Sequence, residues 1–312
     1  MNKHTAIIIV NWNSYDVTHN CILSLKKMPY QDFSIIVVDN ASADGSGEKL
    51  RQAHPDCDFI MSTTNAGFAG GNNMALNYAI NRSYSYALLL NNDTLADPFF
   101  LEILVDYMDQ HPEVAGVQPR IFFEHDRNLI WNGGSYFNTW TGQTSTYGYH
   151  KRSDGKSEML KEVDWITGCA FLMRTSVLPD AGLLDESYFM YYEDTDLSFR
   201  IRRLGYKLMY HPQSIIYHIA GGAFKQLKQD NEGSANHHVH YHNARNQIWL
   251  IKKFVSPLQK ITAYLFTFLY ISAVLCYFIL RWRKTKFMTY IKGVKAGITG
   301  RATGNYHFNN SI

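Results

Sequence analysis

The chain has 312 residues, 46% hydrophobic and 14% aromatic. That supports one large domain with an appendage and excludes a disordered or fibrous chain. The net charge of +3 hides an uneven split. Residues 1–232 hold all 27 Asp/Glu against 19 Lys/Arg, and residues 233–312 hold 11 Lys/Arg and no acid, so an acidic body with a basic, polyanion- or membrane-facing tail is expected.

The opening stretch, MNKHTAIIIVNWNS, is too short in apolar residues for a signal peptide. Cys21, Cys57, Cys169 and Cys276 form no CxxC pair, so reduced thiols in a cytosolic body are expected. Apolar runs at Ala6–Val10, Ser34–Asp39, Asp58–Met61, Ala87–Leu90 and Val114–Val117 read as strands. Helical patterns lie between them, near Asp16–Lys27, Gly47–Ala53, Ala69–Asn81 and Pro98–Gln110, the last with Asp97 as N-cap and Pro98 at its first position. Such alternation implies βαβ units and a parallel sheet. Residues 118–232 are less regular. WNGGSYFNTWTGQTSTYGYH suits loops and short strands facing a substrate, and YYEDTDLSFRIRRLGY suits a helix with acids at its start.

Ile261 to Leu280 is an uncharged 20-residue run with basic residues on both sides, which sets no orientation. Tyr264, Thr267, Tyr270 and Tyr277 give it one mildly polar face, so it suits a span, an interfacial helix or a helix packed on the body. Phe287, Ile291, Val294 and Ile298 then form an apolar stripe beside Lys284, Lys292 and Lys295, which suits an anionic lipid surface. Aromatics inside an uncharged run argue against nucleic acid. The expected organisation is residues 1–117, residues 118–250, and a membrane-associating region, 251–312.

Ligands of open α/β sheets bind at the carboxyl ends of the strands. Four successive strand ends carry polar turns: Asn11-Trp12-Asn13-Ser14, Asp39 to Ser46, Asn65 to Asn73, and Asn91-Asn92-Asp93. The first turn has no glycine, which disfavours a dinucleotide fold. Asp39 suits a base or ribose contact, or an Asx-turn or helix cap. Asp93, at the tip of an apolar strand, suits Mg²⁺ or Mn²⁺ against a diphosphate, since Asp97 already serves as helix cap. His237, His238, His240 and His242 lack a cysteine partner and alternate as on a strand or loop, so a polar cleft rim is expected rather than zinc.

VNWNS, VVDNASADGS, NAGFAGGNN, LLLNND, TGCAFLMR and YYEDTDLSFRIRRLGY follow one another as in glycosyltransferase family 2, which the chain resembles over about residues 5–250. The resemblance is strongest to bacterial rhamnosyltransferase-like enzymes of surface polysaccharide synthesis. It implies a GT-A fold, α/β with a Rossmann-like nucleotide-binding sheet and an acceptor-binding half. It also implies an inverting hexosyltransferase that uses a dTDP- or UDP-linked donor, a lipid-linked or cell-surface glycan acceptor and Mg²⁺ or Mn²⁺, at the cytoplasmic face of the plasma membrane. Rhamnose is the leading sugar.

By that resemblance Asn11, Asn13, Asp39, Asn65, Gly67 and Asn92 contact the nucleotide. Asp93 and His218 hold the metal, although Asn91 stands where the family's DxD motif has its first acid. Gly168, Cys169 and Arg245 face donor sugar and acceptor, Asp194 is the base, and Glu193 is beside it. Tyr241 and Asn246 share the YHNARN element with Arg245. Asp196 is expected to pair with Arg200 one turn later. Processive synthases carry QxxRW, but Phe278 stands where Gln would precede Arg281-Trp282, which favours single addition. The alternative is a catalytically inactive nucleotide-sugar-binding scaffold.

Overall fold

The computed structural model describes residues 4–220 and 237–300. The Gly-Gly pair after Ala220 and the chain end lie outside the described residues.

The first half alternates as the hydrophobic pattern requires. Strands β1 (Thr5–Asn11), β2 (Phe33–Asp39), β3 (Asp58–Met61) and β4 (Tyr86–Leu90) are separated by helices α1 (Tyr15–Lys26), α2 (Ser46–Ala53) and α3 (Gly67–Asn81). They pair in parallel in the order β3-β2-β1-β4. Both faces of β1 are buried. Ala6 and Ile8 join the core under α3, while Ile7 and Ile9 join the core under α1 and α4. Two buried faces are why these strands read as unbroken aliphatic runs.

After β4 come β5 (Thr94–Ala96), α4 (Phe100–Gln110) and β6 (Val114–Phe123). Helix α4 starts two residues later than expected, capped by Phe99, because Thr94–Ala96 pairs with a later strand instead of leading into a helix. Asp97 Oδ1 only accepts the Phe99 amide at 3.4 Å.

The irregular region supplies β7 (Leu129–Asn132), the hairpin β8 (Ser135–Asn138) and β9 (Gln143–Thr146), and the short strands β10 (Lys151–Arg152) and β11 (Lys161–Glu162). Then follow β12 (Ala170–Arg174), α5 (Leu178–Ala181), α6 (Glu193–Arg203) and β13 (Lys207–His218). Strand β12 inserts antiparallel between β4 and β6, and β13 runs parallel to β6. The expected boundary at 117/118 therefore falls inside β6, and the two halves share one sheet.

Three helices end the described chain: α7 (His237–Phe254), α8 (Pro257–Leu280) and α9 (Lys284–Thr299). The expected boundary at 250/251 falls inside the continuous helix α7. The four histidines expected on a strand or loop occupy its first two turns. Helix α9 departs from its expected stripe. Its inward face is Lys286, Tyr290, Gly293 and Gly297, and Ile291 and Ile298 point outward. A Cβ on Gly293 would stand 2.4 Å from the Tyr241 carbonyl, so glycine lets α9 approach α7 closely.

Candidate active site

The tips of β1, β2 and β4, the start of α3, the turn at 167–169, the loop at 189–195 and the start of α7 enclose a cavity of about 870 Å³. Asn65, Gly67, Asn92, Asp93, Gly168, Cys169, Glu193, Asp194 and His218 line it. Asn11, Asn13, Asp39 and Arg245 stand behind its wall.

Helix α6 opens with two adjacent acids facing the cavity. Asp194 Oδ2 accepts the Gly168 amide at 2.8 Å. Its Oδ1 accepts the Thr195 amide at 2.6 Å and the Thr195 hydroxyl at 3.2 Å. Gly168 has no side chain because a Cβ would meet the Phe68 ring at 2.7 Å. Burial pushes the Asp194 carboxyl up, and these donors oppose the shift. Glu193 is pushed well up, first by burial and then by the charge of Asp194, and its Oε2 has no hydrogen-bond partner. The pair thus sets a carboxyl held by three donors beside one pushed further up by burial, the kind of difference that acid–base chemistry uses. Asp196 points away from the cavity. It binds Arg200 at 2.7 Å, as expected, and also Lys253 of α7 at 2.6 Å.

Pairing of β5 with the end of β13 aligns Thr94 with His218. That register brings His218 Nε2 to 3.0 Å from Asp93 Oδ1. Burial alone would lower the His218 pKa. The Cys169 sulfur and the Asp93 carboxylate outweigh it and raise it to about 10. His218 also has the Cys169 side chain as a hydrogen-bonding neighbour. Among the described residues no three His, Cys, Asp or Glu side chains converge as a metal cage. One carboxylate and one imidazole fit a hard cation that takes its remaining ligands from phosphate and water.

The residues behind the wall form a relay. Asn92 Nδ2 donates to Thr18 Oγ1 at 2.9 Å, and Thr18 donates to Asn11 Oδ1 at 2.8 Å. Asn11 Nδ2 donates to Asp39 Oδ1 and to Ser46 Oγ, both at 2.9 Å. Asp39 Oδ2 accepts the Ser42 amide, and Asn13 Oδ1 accepts the Ala43 amide. Asn11 is fully buried and Asp39 is 4% exposed. Asn11 and Asp39 thus belong to a network that fixes the tips of β1 and β2, with half-buried Asn13 at its edge. Arg245 stands one layer back from the cavity. Its guanidinium donates to the Ser187 and Tyr188 carbonyls and lies over Trp249, outside the cavity lining.

Further residues complete and brace the wall. Asn40 donates to Asn65 Oδ1 and the Gly67 carbonyl, and accepts the Ala66 amide. Gly67 has φ +71°, and a Cβ there would stand 2.5 Å from the Phe189 carbonyl, which accepts the Phe68 and Ala69 amides. Phe189, Tyr191 and Tyr192 all have positive φ. Asn246 Nδ2 reaches three carbonyls of that loop, Tyr188 at 3.2 Å, Met190 at 2.9 Å and Tyr191 at 2.8 Å. His242 lines the cavity and stacks on Phe189, and burial, then Arg245, lower its pKa to about 4. The shared YHNARN element was the available signal for Asn246. Asn40 falls in the polar turn after β2 and Trp131 in the segment expected to face a substrate, whereas nothing in the sequence marks Trp165.

The Glycosyl transferase family 2 model matches residues 6–181. The chain belongs to that family. This family 2 chain is 30% identical over 204 residues to the low-salt glycan biosynthesis hexosyltransferase Agl10 of Haloferax volcanii, covering 64% of this chain and 61% of the relative's length. It is 23% identical over 245 residues to the N-acetylglucosaminyl-diphospho-decaprenol L-rhamnosyltransferase of Mycobacterium tuberculosis, covering 70% of this chain and 76% of the relative. Among solved structures, it superposes on a mannosyltransferase from Pyrobaculum calidifontis in complex with GDP-Man and Mn²⁺. The TM-score is 0.56 at 14% identity, over 95% of this chain and 87% of that one. The architecture is the GT-A fold expected from the motifs.

Proposed function

We propose that the chain is an inverting glycosyltransferase that moves one sugar from a nucleoside diphosphate to a lipid-linked or cell-surface glycan acceptor at the cytoplasmic face of the membrane. The supporting observation is one cavity holding both halves of that chemistry: Asp194 with its three donors, and the Asp93–His218 pair. Cys169 feels the charges of both Asp93 and Asp194, so the two groups flank it. A cavity of about 870 Å³ suits a nucleotide sugar. The names of the Haloferax and Mycobacterium relatives favour a hexose donor and a lipid-linked acceptor, with dTDP- or UDP-rhamnose as the leading donor.

Asp194 accepts the proton of an acceptor hydroxyl as that oxygen attacks the anomeric carbon. The three donors that hold its oxygens favour its ionised form, whereas burial and the charge of Asp194 push Glu193 toward its neutral form. The nucleoside diphosphate leaves from the opposite face, which inverts the configuration. Asn92, Asn65 and Gly67 present polar groups along the nucleotide path, and the Asn11–Asp39 network keeps those tips in place. Asp93 and His218 would hold Mg²⁺ or Mn²⁺, which when bound supplies positive charge against the leaving diphosphate.

The test is a donor screen with UDP- and dTDP-sugars, with Mn²⁺ or EDTA, followed by thermal shift and nucleoside diphosphate release. One donor should give a cation-dependent shift and turnover, and Asp93→Asn should remove the cation-dependent part. A folded protein that binds a donor without turnover would support the scaffold alternative. One that binds no donor would overturn the reading.

A further inference from the structure

Helix α8 is 24 residues long and apolar enough to cross a bilayer. One of its faces is nevertheless used by the protein. Ala263, Thr267 and Phe278 are buried, and Ile271, Val274 and Leu275 pack beside them. Gln259 at its start donates to Thr139 of the β8–β9 hairpin at 2.8 Å, and Phe278 near its end packs on His240 of α7. The other face is bare along its whole length: Ile261 is 70% exposed, Phe268 65% and Leu280 73%. Trp282, just beyond, is 90% exposed.

A span is hard to reconcile with these contacts. Helices α7 and α9 lie against α8 and would have to enter the hydrocarbon with it or give up the contact. They carry Arg245, Lys252, Lys253, Lys292 and Lys295, each costly at the bilayer centre. A helix lying in the plane of the interface has no such problem. Its apolar face enters the acyl boundary while the packed face stays with the protein. The charge around it is complementary to an anionic surface. Arg281 and Lys284, which directly follow α8, are exposed, as are Lys292 and Lys295 on α9, and no acid occurs from residue 233 onward.

The same helix adjoins the active site. Tyr192 lines the cavity and is an electrostatic neighbour of Tyr270 on α8, and Tyr290 of α9 neighbours both. His238 and Val239, which also line the cavity, precede the residue that packs on Phe278.

We propose that α8 docks lengthwise on an anionic bilayer surface, so that the cavity wall formed by Tyr192 and the start of α7 lies at the membrane and an amphiphilic acceptor enters from that side. The acceptor clause rests on the glycosyltransferase reading, whereas the docking clause does not. The full chain should float with vesicles containing phosphatidylglycerol, and less so with pure phosphatidylcholine or at high salt. A triple variant, Leu265→Glu/Phe268→Glu/Leu269→Glu, should lose flotation by about tenfold or more while keeping its melting temperature and donor-induced shift. With Cys57→Ser/Cys276→Ser as background, which leaves only the buried Cys21 and Cys169, cysteines replacing Ile261, Phe268 and Leu280 one at a time would carry a fluorophore quenched by brominated lipids. Equal, shallow depths support the in-plane helix, and a deep Phe268 site between two shallow ends would overturn it. Wild-type protein that fails to float would also overturn it. Flotation without donor binding would uphold the surface and reject the glycosyltransferase reading instead.

Discussion

The loop that carries the two active-site acids is held in an unfavourable shape, and one side chain accounts for much of that hold. Phe189, Tyr191 and Tyr192 have φ of 64°, 67° and 71°. Left-handed backbone at a residue other than glycine costs on the order of 1–3 kcal/mol and persists only where the surroundings over-determine it. Fully buried Asn246 donates to three carbonyls of this loop from one amide nitrogen. Its Oδ1 is held in turn by Arg245 Nε at 2.8 Å. Two amide hydrogens serve three acceptors, so the net gain is that of two good bonds, about 2 kcal/mol. Arg245 still holds the Tyr188 carbonyl, and leaving the part-buried Met190 and Tyr191 carbonyls without this donor brings the loss to about 2–3 kcal/mol.

That sum is comparable to the strain in the loop, so Asn246→Ala should let the loop relax rather than simply unfold the protein. The Phe189 carbonyl would leave the Phe68 and Ala69 amides, and their hydrogen exchange should speed up. Asp194 would move with the loop, and a displacement of about 1 Å is enough to cost about 10²-fold in turnover. Asn246→Asp separates donation from packing. It keeps the shape and the Arg245 contact but turns a carboxylate toward three carbonyls, so it should be at least as damaging as alanine. Wild-type turnover and unchanged Phe68 and Ala69 exchange in both variants would refute the clamp.

Asp194→Asn should lower turnover by about 10²–10⁴-fold and leave the donor-induced thermal shift intact; unchanged turnover would reject Asp194 as the base. Burial raises the Glu193 carboxyl above its ordinary 4.5, so the folded protein keeps a proton that the unfolded chain releases above that pH, and stability falls as pH rises through the window. Glu193→Gln should therefore melt higher than wild type at alkaline pH, with the gap closing toward pH 4.5, and a constant gap would refute the assignment. Gly67→Ala places a Cβ at φ +71°, 2.5 Å from the Phe189 carbonyl, and should cost about 1–2 kcal/mol from backbone strain alone and weaken donor binding, read by melting and by donor titration.

Much of the sheet was legible because parallel strands buried on both faces leave unbroken aliphatic runs such as AIIIV and ALLL. Strands β12 and β13 were not resolved as such, because their order in the sheet depends on distant partners. Three-residue β5 was missed as well, and with it the reason α4 starts late. The motif residues gathered around one cavity because strand tips are where such sheets bind ligands. The clamp from α7 was not legible beyond its motif, since which carbonyls Asn246 meets is set by how α7 packs on the loop.

The direction of the tip side chains was open to a parity argument. Successive residues of a strand point to opposite faces. Ile7 and Ile9 face α1 and α4, so Asn11 follows them to that side. Ile35 and Val37 do the same, and Asp39 follows them. Asn11 and Asp39 are register partners in adjacent parallel strands, so their side chains stand together, and they bond at 2.9 Å. Val10 and Asn40, one step off in parity, fall on the α3 side and line the cavity. A motif thus identifies the strand end, while the period of the strand decides whether its polar residue meets the ligand or braces the residue that does. For this chain the parity makes Asn40 the cavity-lining member of Asp39-Asn40, so Asn40→Ala should weaken donor binding by releasing Asn65 and the Gly67 turn that it holds, read by donor titration.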